Sequence, residues 1–265
     1  MTRTYDLRDL MAGLKALGVQ PGQDLLVHSS LRKVGPIQGG AADVLEALRI
    51  ATSGATIVVP THTTANSMSS RAFMAATAGM STDQLARYMA AMPGFDPATT
   101  PSSGMGTLAE YVRTSDGAAR SSHPQTSFAA VGPRAERCTT GHDLACHLGE
   151  ASPLGWLYQA DAAVLLLGVG YKACTALHLA EYRLPGGRLR DYECFTVTDG
   201  VRRDHVFIDA DLIDSDFEAV GRLMDPESFV RHGRVGAADC RLLPIRDIVD
   251  FAVDCEPFQR QRAAT

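Results

Sequence analysis

Apolar positions along this chain switch between two periods, and the switch points outline an α/β protein. Leu7, Leu10, Met11, Leu14 and Leu17 recur at three- and four-residue steps. That spacing predicts an amphipathic helix over residues 5–17, stopped by Gly18. Asp24–His28 reads as a short buried strand and Ala55–Pro60 as a second. Each ends in a polar cluster, His28-Ser29-Ser30 after the first and Thr61-His62-Thr63-Thr64 after the second. Between them a glycine-rich loop, Gly35 to Gly40, opens an amphipathic helix over about Ala41–Ala51. Ligands of open α/β sheets gather at the carboxyl ends of strands, so the two polar clusters mark one candidate site.

Residues 65–103 are punctuated by glycine, serine and proline, with one helix predicted around Asp83–Met92. A segment of that length is expected to be functional or lid-like. A helix near Gly106–Arg113 and a strand at Thr126–Val131 follow, and Pro133 and Pro153 each read as first-turn helical residues. The most apolar stretch, Ala163–Gly168, is the expected central strand. Beyond it, Gly170 and Tyr171 lead into a helix carrying Thr175 to Glu181. Thr198-Asp199-Gly200 predicts a hairpin between Asp191–Val197 and Val201–Ile208. A strand at about Ala238–Leu243 and a helix at about Ile245–Cys255 close the pattern. No repeat or linker interrupts it, so one domain over residues 1–265 is expected.

Composition narrows the class. Apolar residues make up 45% and charged residues 21%, which excludes a disordered or fibrous chain and suits an enzyme with a substantial core. Acids outnumber bases by 30 to 25, a net charge of −5. No Lys/Arg cluster offers a footprint for nucleic acid. A mild negative field favours cationic small molecules, although solubility alone accounts for it. Met1 to Leu7 lacks a leader pattern and no apolar run spans a bilayer, so a cytoplasmic location without membrane contact is expected. The cysteines at 138, 146, 174, 194, 240 and 255 are irregularly spaced without a CxxC pair, which predicts buried free thiols.

His178 and Glu181 stand at i and i+3 of a predicted helix, on one face, just past the expected central strand. A carboxylate beside a histidine raises its basicity and fixes its tautomer, as a general base requires. Spacing alone supports an idle surface pair equally. His28, His62 and His178 together raise a three-histidine metal site, but no HxH or HExxH pair is present and no metal is expected. Ser29 and Ser30 lack a GxSxG elbow, which leaves a serine nucleophile weakly supported. The Gly35 to Gly40 loop, with Arg32 and Lys33 beside it, is either a phosphate cradle at a helix start or an ordinary connection. Asp204, Asp209, Asp211, Asp214 and Asp216 form an acidic run that reads first as a solvated edge and second as a holder for a polycation.

Taken in order, several fragments resemble one family. They include His28-Ser29-Ser30-Leu31-Arg32 with Val34-Gly35, Gly39-Gly40-Ala41, Pro60-Thr61-His62-Thr63, Phe95-Asp96-Pro97 and Thr100-Pro101-Ser102. Gly104-Met105-Gly106, Arg120-Ser121, His123-Pro124, Ser152-Pro153-Leu154-Gly155 and Leu165 to Gly170 continue the series. His178-Leu179-Ala180-Glu181-Tyr182-Arg183 and Gly233 to Ala238 complete it. From about residue 5 to about residue 255 the chain resembles the antibiotic N-acetyltransferases, the aminoglycoside 3-N-acetyltransferase family.

The resemblance implies an α/β fold with a mixed central sheet flanked by helices, unlike the bent-sheet acetyltransferase superfamily. It implies direct acetyl transfer from acetyl-coenzyme A to the 3-amine of a deoxystreptamine ring, which would confer antibiotic resistance. His178 would take the amine proton, Glu181 would orient it or contact the sugar, and His28 would lie by the thioester. Ser29, Ser30, Leu31, Arg32, Lys33, Val34 and Gly35, with Thr61, Thr63, Ser102, Ser103 and Met105, would line the coenzyme channel. Backbone N–H groups or Thr63 would meet the oxyanion. Asn66, Asp96, Glu181, Asp209 and Asp211 would face the cationic acceptor.

One departure stands out: Met68-Ser69-Ser70-Arg71 replaces the acidic-then-aromatic pair common in the family, and Ser103 replaces a common basic residue. The acceptor is therefore open between an aminoglycoside and another amine metabolite, with a non-catalytic binder of cations as a third reading. The expected assembly is a monomer or homodimer.

Overall fold

The computed structural model describes residues 3–263. Met1 and Thr2, which begin the stretch searched for a leader, lie outside the described residues. The first half runs α1 Leu7–Leu17, β1 Leu25–Ser29, α2 Leu31–Val34, α3 Gly40–Ala51, β2 Ile57–Pro60, α4 Arg71–Thr77, α5 Thr82–Ala91 and α6 Thr107–Arg113. There follow β3 Ala119–Arg120, β4 Phe128–Val131, α7 Ala135–Thr139, α8 Pro153–Gln159, β5 Ala163–Leu167, a 3-10 turn at Tyr171–Ala173 and α9 Ala176–Arg183. The remainder is β6 Leu189–Thr198, β7 Val201–Ala210, α10 Phe217–Met224, β8 Arg231–Val235, β9 Ala238–Pro244, α11 Ile245–Asp254 and α12 Glu256–Ala263.

Seven strands make one mixed sheet in the order β3-β4-β2-β1-β5-β9-β8. β1 lies parallel to both β2 and β5, with Leu26 opposite Val58 and His28 opposite Leu166. β4 and β9 flank this trio antiparallel. Because side chains alternate across a strand, the apolar runs divide between two layers. Leu26, Val58, Val164 and Leu166 face α8, α9 and α11, whereas Leu25, Val27, Ile57, Val59, Leu165 and Leu167 face α1, α3 and α6. Burial on both faces is why the strands read as continuous apolar runs.

Local chemistry sets the ends of elements. The Asp6 carboxylate accepts from the Asp9 amide at 2.9 Å and Asp9 returns the bond at 3.3 Å, a capping box that starts α1. Gly18 closes that helix, as expected. Pro153 occupies the first turn of α8, but Pro133 does not start α7. It sits in the turn ahead of the N-cap Arg134.

The predicted hairpin forms as β6 and β7, paired from Leu189↔Ala210 to Thr198↔Val201. At its tip Asp199 and Gly200 both take positive φ, 53° and 72°, the turn that matches strand twist and that Asp-Gly tolerates. This ribbon is a separate two-stranded sheet. It touches the long 65–103 segment through the bridges Ser67↔Cys194 and Phe95↔Thr196. That segment holds α4 as well as the predicted α5. Neither buries a residue fully, so α4 has no apolar periodicity to betray it, only the Ser70 cap on the Phe73 amide at 3.1 Å. β3, β8, α2, α10 and α12 were likewise beyond the sequence pattern. The six cysteines are free and buried. Among the described residues no helix is long and apolar enough to cross a membrane.

Candidate active site

The three parallel strands deliver their carboxyl ends to one edge. β1 contributes His28 and Ser29, the turn after β2 contributes His62, and the turn after β5 contributes Val169. The 3-10 turn adds Lys172, α9 adds His178, the approach to α10 adds Asp214 and Phe217, and the start of α6 adds Met105. They enclose a cleft of about 300 Å³. A wider groove of about 640 Å³ between α1 and α3, lined by Arg8, Met11, Lys15 and Ile50, holds no histidine or carboxylate. Of the two, only the smaller cleft gathers histidines and a carboxylate.

Within α9, one turn places His178 and Glu181 together. The Nδ1–H of His178 donates to Glu181 Oε2 at 2.5 Å. Because a carboxylate only accepts, this bond fixes the proton on Nδ1 and leaves Nε2 as the lone-pair nitrogen. The His178 ring packs on Phe217, centroids 4.6 Å apart. The Glu181 side chain is 5% exposed. Its other oxygen, Oε1, accepts from the Ile213 amide at 3.0 Å and from the Arg262 guanidinium, whose Nη2 lies 2.8 Å away. Both oxygens of Glu181 thus accept hydrogen bonds from within the protein.

His28 is buried, with Nε2 3.3 Å from the Thr175 hydroxyl, and burial lowers its pKa to about 3. Burial also lowers His62 to about 3, with His178 and the other nearby histidines opposing its charge. The buried Nε2 of His62 has no hydrogen-bond partner, and its ring meets Phe128 edge-on. Both imidazoles are thus neutral near pH 7. Among the described residues, no group of three or more metal-ligating side chains is placed to hold an ion.

Of the residues assigned to the coenzyme channel, Ser29 and Met105 line the cleft. Lys33 lines a depression of about 360 Å³ with Gly168, Gly170, Ala237 and Arg241, joined to the cleft at Val169. Ser30 and Leu31 are half-buried and Arg32 is exposed, and Gly35 packs beside the Tyr5 ring. Val34, Thr61 and Thr63 point into the protein instead. The Thr61 hydroxyl donates to the Ser127 carbonyl at 3.1 Å and the Thr63 hydroxyl to the Pro124 carbonyl, which removes Thr63 as an oxyanion donor. Ser102 is held by Glu110 at 2.9 Å, and the Ser103 amide donates to the His62 carbonyl at 2.7 Å, so these two frame the site. The helix start after Gly39 is already served by Asp43, whose carboxylate takes the Gly39 amide at 2.9 Å. A phosphate there would meet like charge.

The residues assigned to the acceptor do not converge. Asn66 is buried and its amide group donates to the Pro124 carbonyl at 2.7 Å. Asp96 accepts from the Ala98 amide at 2.8 Å within its own turn. Asp211 faces Arg190 at 3.9 Å. Asp209 is buried and accepts from His147 Nδ1 at 2.6 Å and from the Tyr182 hydroxyl at 2.7 Å, which braces α9 one residue after Glu181. The acidic run is therefore mixed: Asp204 is exposed, Asp209 is buried among hydrogen-bond donors and Asp216 is paired with Arg262. Asp214, also in that run, lines the cleft and lies 3.6 Å from Arg71.

Sequence reading missed Lys172, Thr175, Phe217 and Arg262, which reach the site from separate turns and helices without a shared spacing. It also missed three packed histidines: the His123 ring lies 4.7 Å from that of His142 and 4.5 Å from that of His147. Each is hydrogen-bonded internally.

The family described as aminoglycoside 3-N-acetyltransferase matches residues 26–255. The chain is 35% identical over 241 residues to the SPbeta prophage-derived aminoglycoside N(3')-acetyltransferase-like protein YokD of Bacillus subtilis (strain 168), covering 90% of this chain and 88% of that protein. Among solved structures, AAC-IIIb in its binary form with CoASH superposes with a TM-score of 0.84 at 27% identity, covering 95% of this chain and 96% of that one. AAC-VIa bound to sisomicin gives 0.81 at 28% identity, covering 98% of this chain and 100% of that one.

Proposed function

The chain belongs to the aminoglycoside 3-N-acetyltransferase family of acyltransferases, and from that premise we propose that it transfers acetyl from acetyl-coenzyme A to the 3-amine of an aminoglycoside, with His178 as general base. The observation that carries this reading is the His178–Glu181 bond at 2.5 Å in a cleft at the carboxyl ends of three parallel strands. Relatives of this fold bind both reaction partners: one structure holds CoASH and another sisomicin.

The residues suit such a donor. The cleft opens at Val169 onto the depression where Lys33 supplies positive charge for a phosphate, while Arg241 is held by Asp225 at 2.6 Å. Ser29 and Met105 would lie against the acyl arm. The acceptor nitrogen attacks the thioester carbonyl carbon, its proton passes to Nε2 of His178, and collapse of the tetrahedral intermediate breaks the carbon–sulfur bond. The coenzyme leaves as thiolate and recovers a proton from the imidazolium. Glu181 stabilises the charge that His178 gains. His28, neutral and anchored at Thr175, would present an uncharged imidazole to the thioester. Holding amine and thioester together supplies much of the acceleration, and proton removal adds about 10²- to 10⁴-fold.

Incubation with acetyl-coenzyme A and a panel of deoxystreptamine antibiotics tests this reading. Thiol release should depend on the antibiotic and vanish in His178→Ala, with mass spectrometry and NMR locating the acetyl group on the 3-amine. Folded wild-type protein that releases no thiol with any of them would sink the assignment.

A second acceptor class has its own observation. Arg71 faces the cleft carboxylate Asp214 at 3.6 Å and offsets the charge that would draw a polycation. Met68, in the same departure from the family pattern, is packed with Met92 and Phe195 away from the cleft. Activity on simpler amines and none on aminoglycosides would select this reading.

A further inference from the structure

The last helix, α12, lies beyond residue 255, where the family match ends. We propose that Arg262 of α12 is a positioning residue for the reaction: it clamps the Glu181 carboxylate, so that Glu181 in turn holds His178 in one tautomer and orientation. The inference rests on the reading of His178 as general base.

Arg262 is 8% exposed, and all its side-chain nitrogens are engaged. Nε donates to Glu181 Oε1 at 3.0 Å, and Nη2 lies 2.8 Å from the same oxygen. Nη2 also donates to the Ile213 carbonyl at 2.8 Å and to Asp216 Oδ1 at 3.1 Å. Nη1 meets Asp216 Oδ2 and the Phe258 carbonyl, the latter at 3.2 Å. The guanidinium carbon sits 3.5 Å from the Phe258 ring centroid.

The two Glu181 oxygens therefore have separate duties. Oε1 is fixed by Arg262 and the Ile213 amide, and Oε2 is left for His178 Nδ1. A buried carboxylate facing only a neutral imidazole and one amide would be poorly compensated, and would re-aim or take up a proton. The clamp prevents both. Removing Arg262 should therefore free the His178 ring from its single tautomer and leave less Nε2 lone pair for the amine proton. The other charged or titratable groups facing this ring environment are His28 from β1, His62 after β2, Lys172 from the 3-10 turn, and Asp214 and Asp216 ahead of α10. None of these donates to Glu181, so none replaces the clamp.

The test uses full-length Arg262→Gln, Arg262→Lys and Asp216→Asn. Nitrogen-15 NMR of the His178 ring, which needs no turnover, should show the Nδ1-protonated tautomer no longer dominant in Arg262→Gln. In the acetyl-transfer assay kcat at pH 7 should fall about 10- to 100-fold, with the KM for acetyl-coenzyme A nearly unchanged. Arg262→Lys should restore the tautomer and recover part of kcat. Asp216→Asn loosens α12 but leaves the Glu181 contact, so it should lower thermal stability without changing the His178 tautomer.

A His178 ring still held in the Nδ1-protonated tautomer in folded Arg262→Gln overturns the clamp. So does an equal loss of that tautomer in Asp216→Asn, which would trace the effect to helix docking. If wild type transfers no acetyl group to any acceptor, the reading of the function fails while the NMR spectrum still decides the clamp.

Discussion

Glu181 shows how much one residue's environment adds to its spacing. On the helix it is simply three positions from His178, yet burial and four donors make it the hinge of the site. Replacing it with Gln keeps the shape but lets the amide turn its NH₂ toward Nδ1, which favours the wrong tautomer. Glu181→Gln should cut kcat by about 10²-fold or more with little change in the KM for acetyl-coenzyme A, as steady-state kinetics would show. A fall confined to KM would mean that Glu181 serves binding. Arg71 acts at the same scale with smaller stakes, because its ion pair with Asp214 is exposed and therefore weak. Arg71→Ala should lower the KM for a polycationic acceptor by about 1.5- to 5-fold at low salt, with the gain shrinking as salt rises. No change at low salt would separate Asp214 from the acceptor.

At the scale of elements, α10 is placed by one close approach. A Cβ added at Gly221 would come within 2.0 Å of the Tyr171 ring, which is fully buried beside it. Glycine there lets α10 lie flat on the 3-10 turn, and so sets Phe217 against His178 and Asp214 in the cleft. Gly221→Ala should cost about 1–3 kcal/mol in denaturant unfolding and should also lower kcat, since the two walls of the cleft would separate. Wild-type stability and activity together would show that the contact is slack. Tyr182 and Asp209 brace α9 from the opposite side, which explains why an aspartate read as a substrate contact is instead buried.

For the whole molecule, buried neutral histidines tie stability to pH. Burial lowers His28 and His62 to about 3 and His142 to about 4, and pushes His123 and His147 down as well. Unfolded, these rings titrate near pH 6.5. Between about pH 6.5 and pH 4 the unfolded chain thus binds protons that the folded chain refuses, and stability falls as pH drops. Of these, His28, His62 and His142 each contribute on the order of 1 kcal/mol per pH unit in that window, and the contribution levels off above pH 6.5. Denaturant midpoints at pH 7.5 and pH 5 check this. A flat midpoint across that range would show that the histidines are charged or solvated in the folded state.

By itself the sequence determined what local periodicity and local chemistry can carry. The buried strands, the α1 and α3 helices, the Asp-Gly hairpin and the His178–Glu181 spacing were all legible, because each depends on neighbours within a few positions along the chain. The ordered motifs added the family. What the tertiary structure decided is which polar groups face solvent, which face a ligand and which face one another. Thr63, Asn66 and Asp209 have side chains suited to binding, but chain segments far away in sequence claim them for internal hydrogen bonds. Arg262 shows the converse, since no spacing links it to Glu181 across eighty-one positions. Only the docking of α12 on α11, itself packed on α9, brings them together, because a buried charge is stable where the fold supplies its partner.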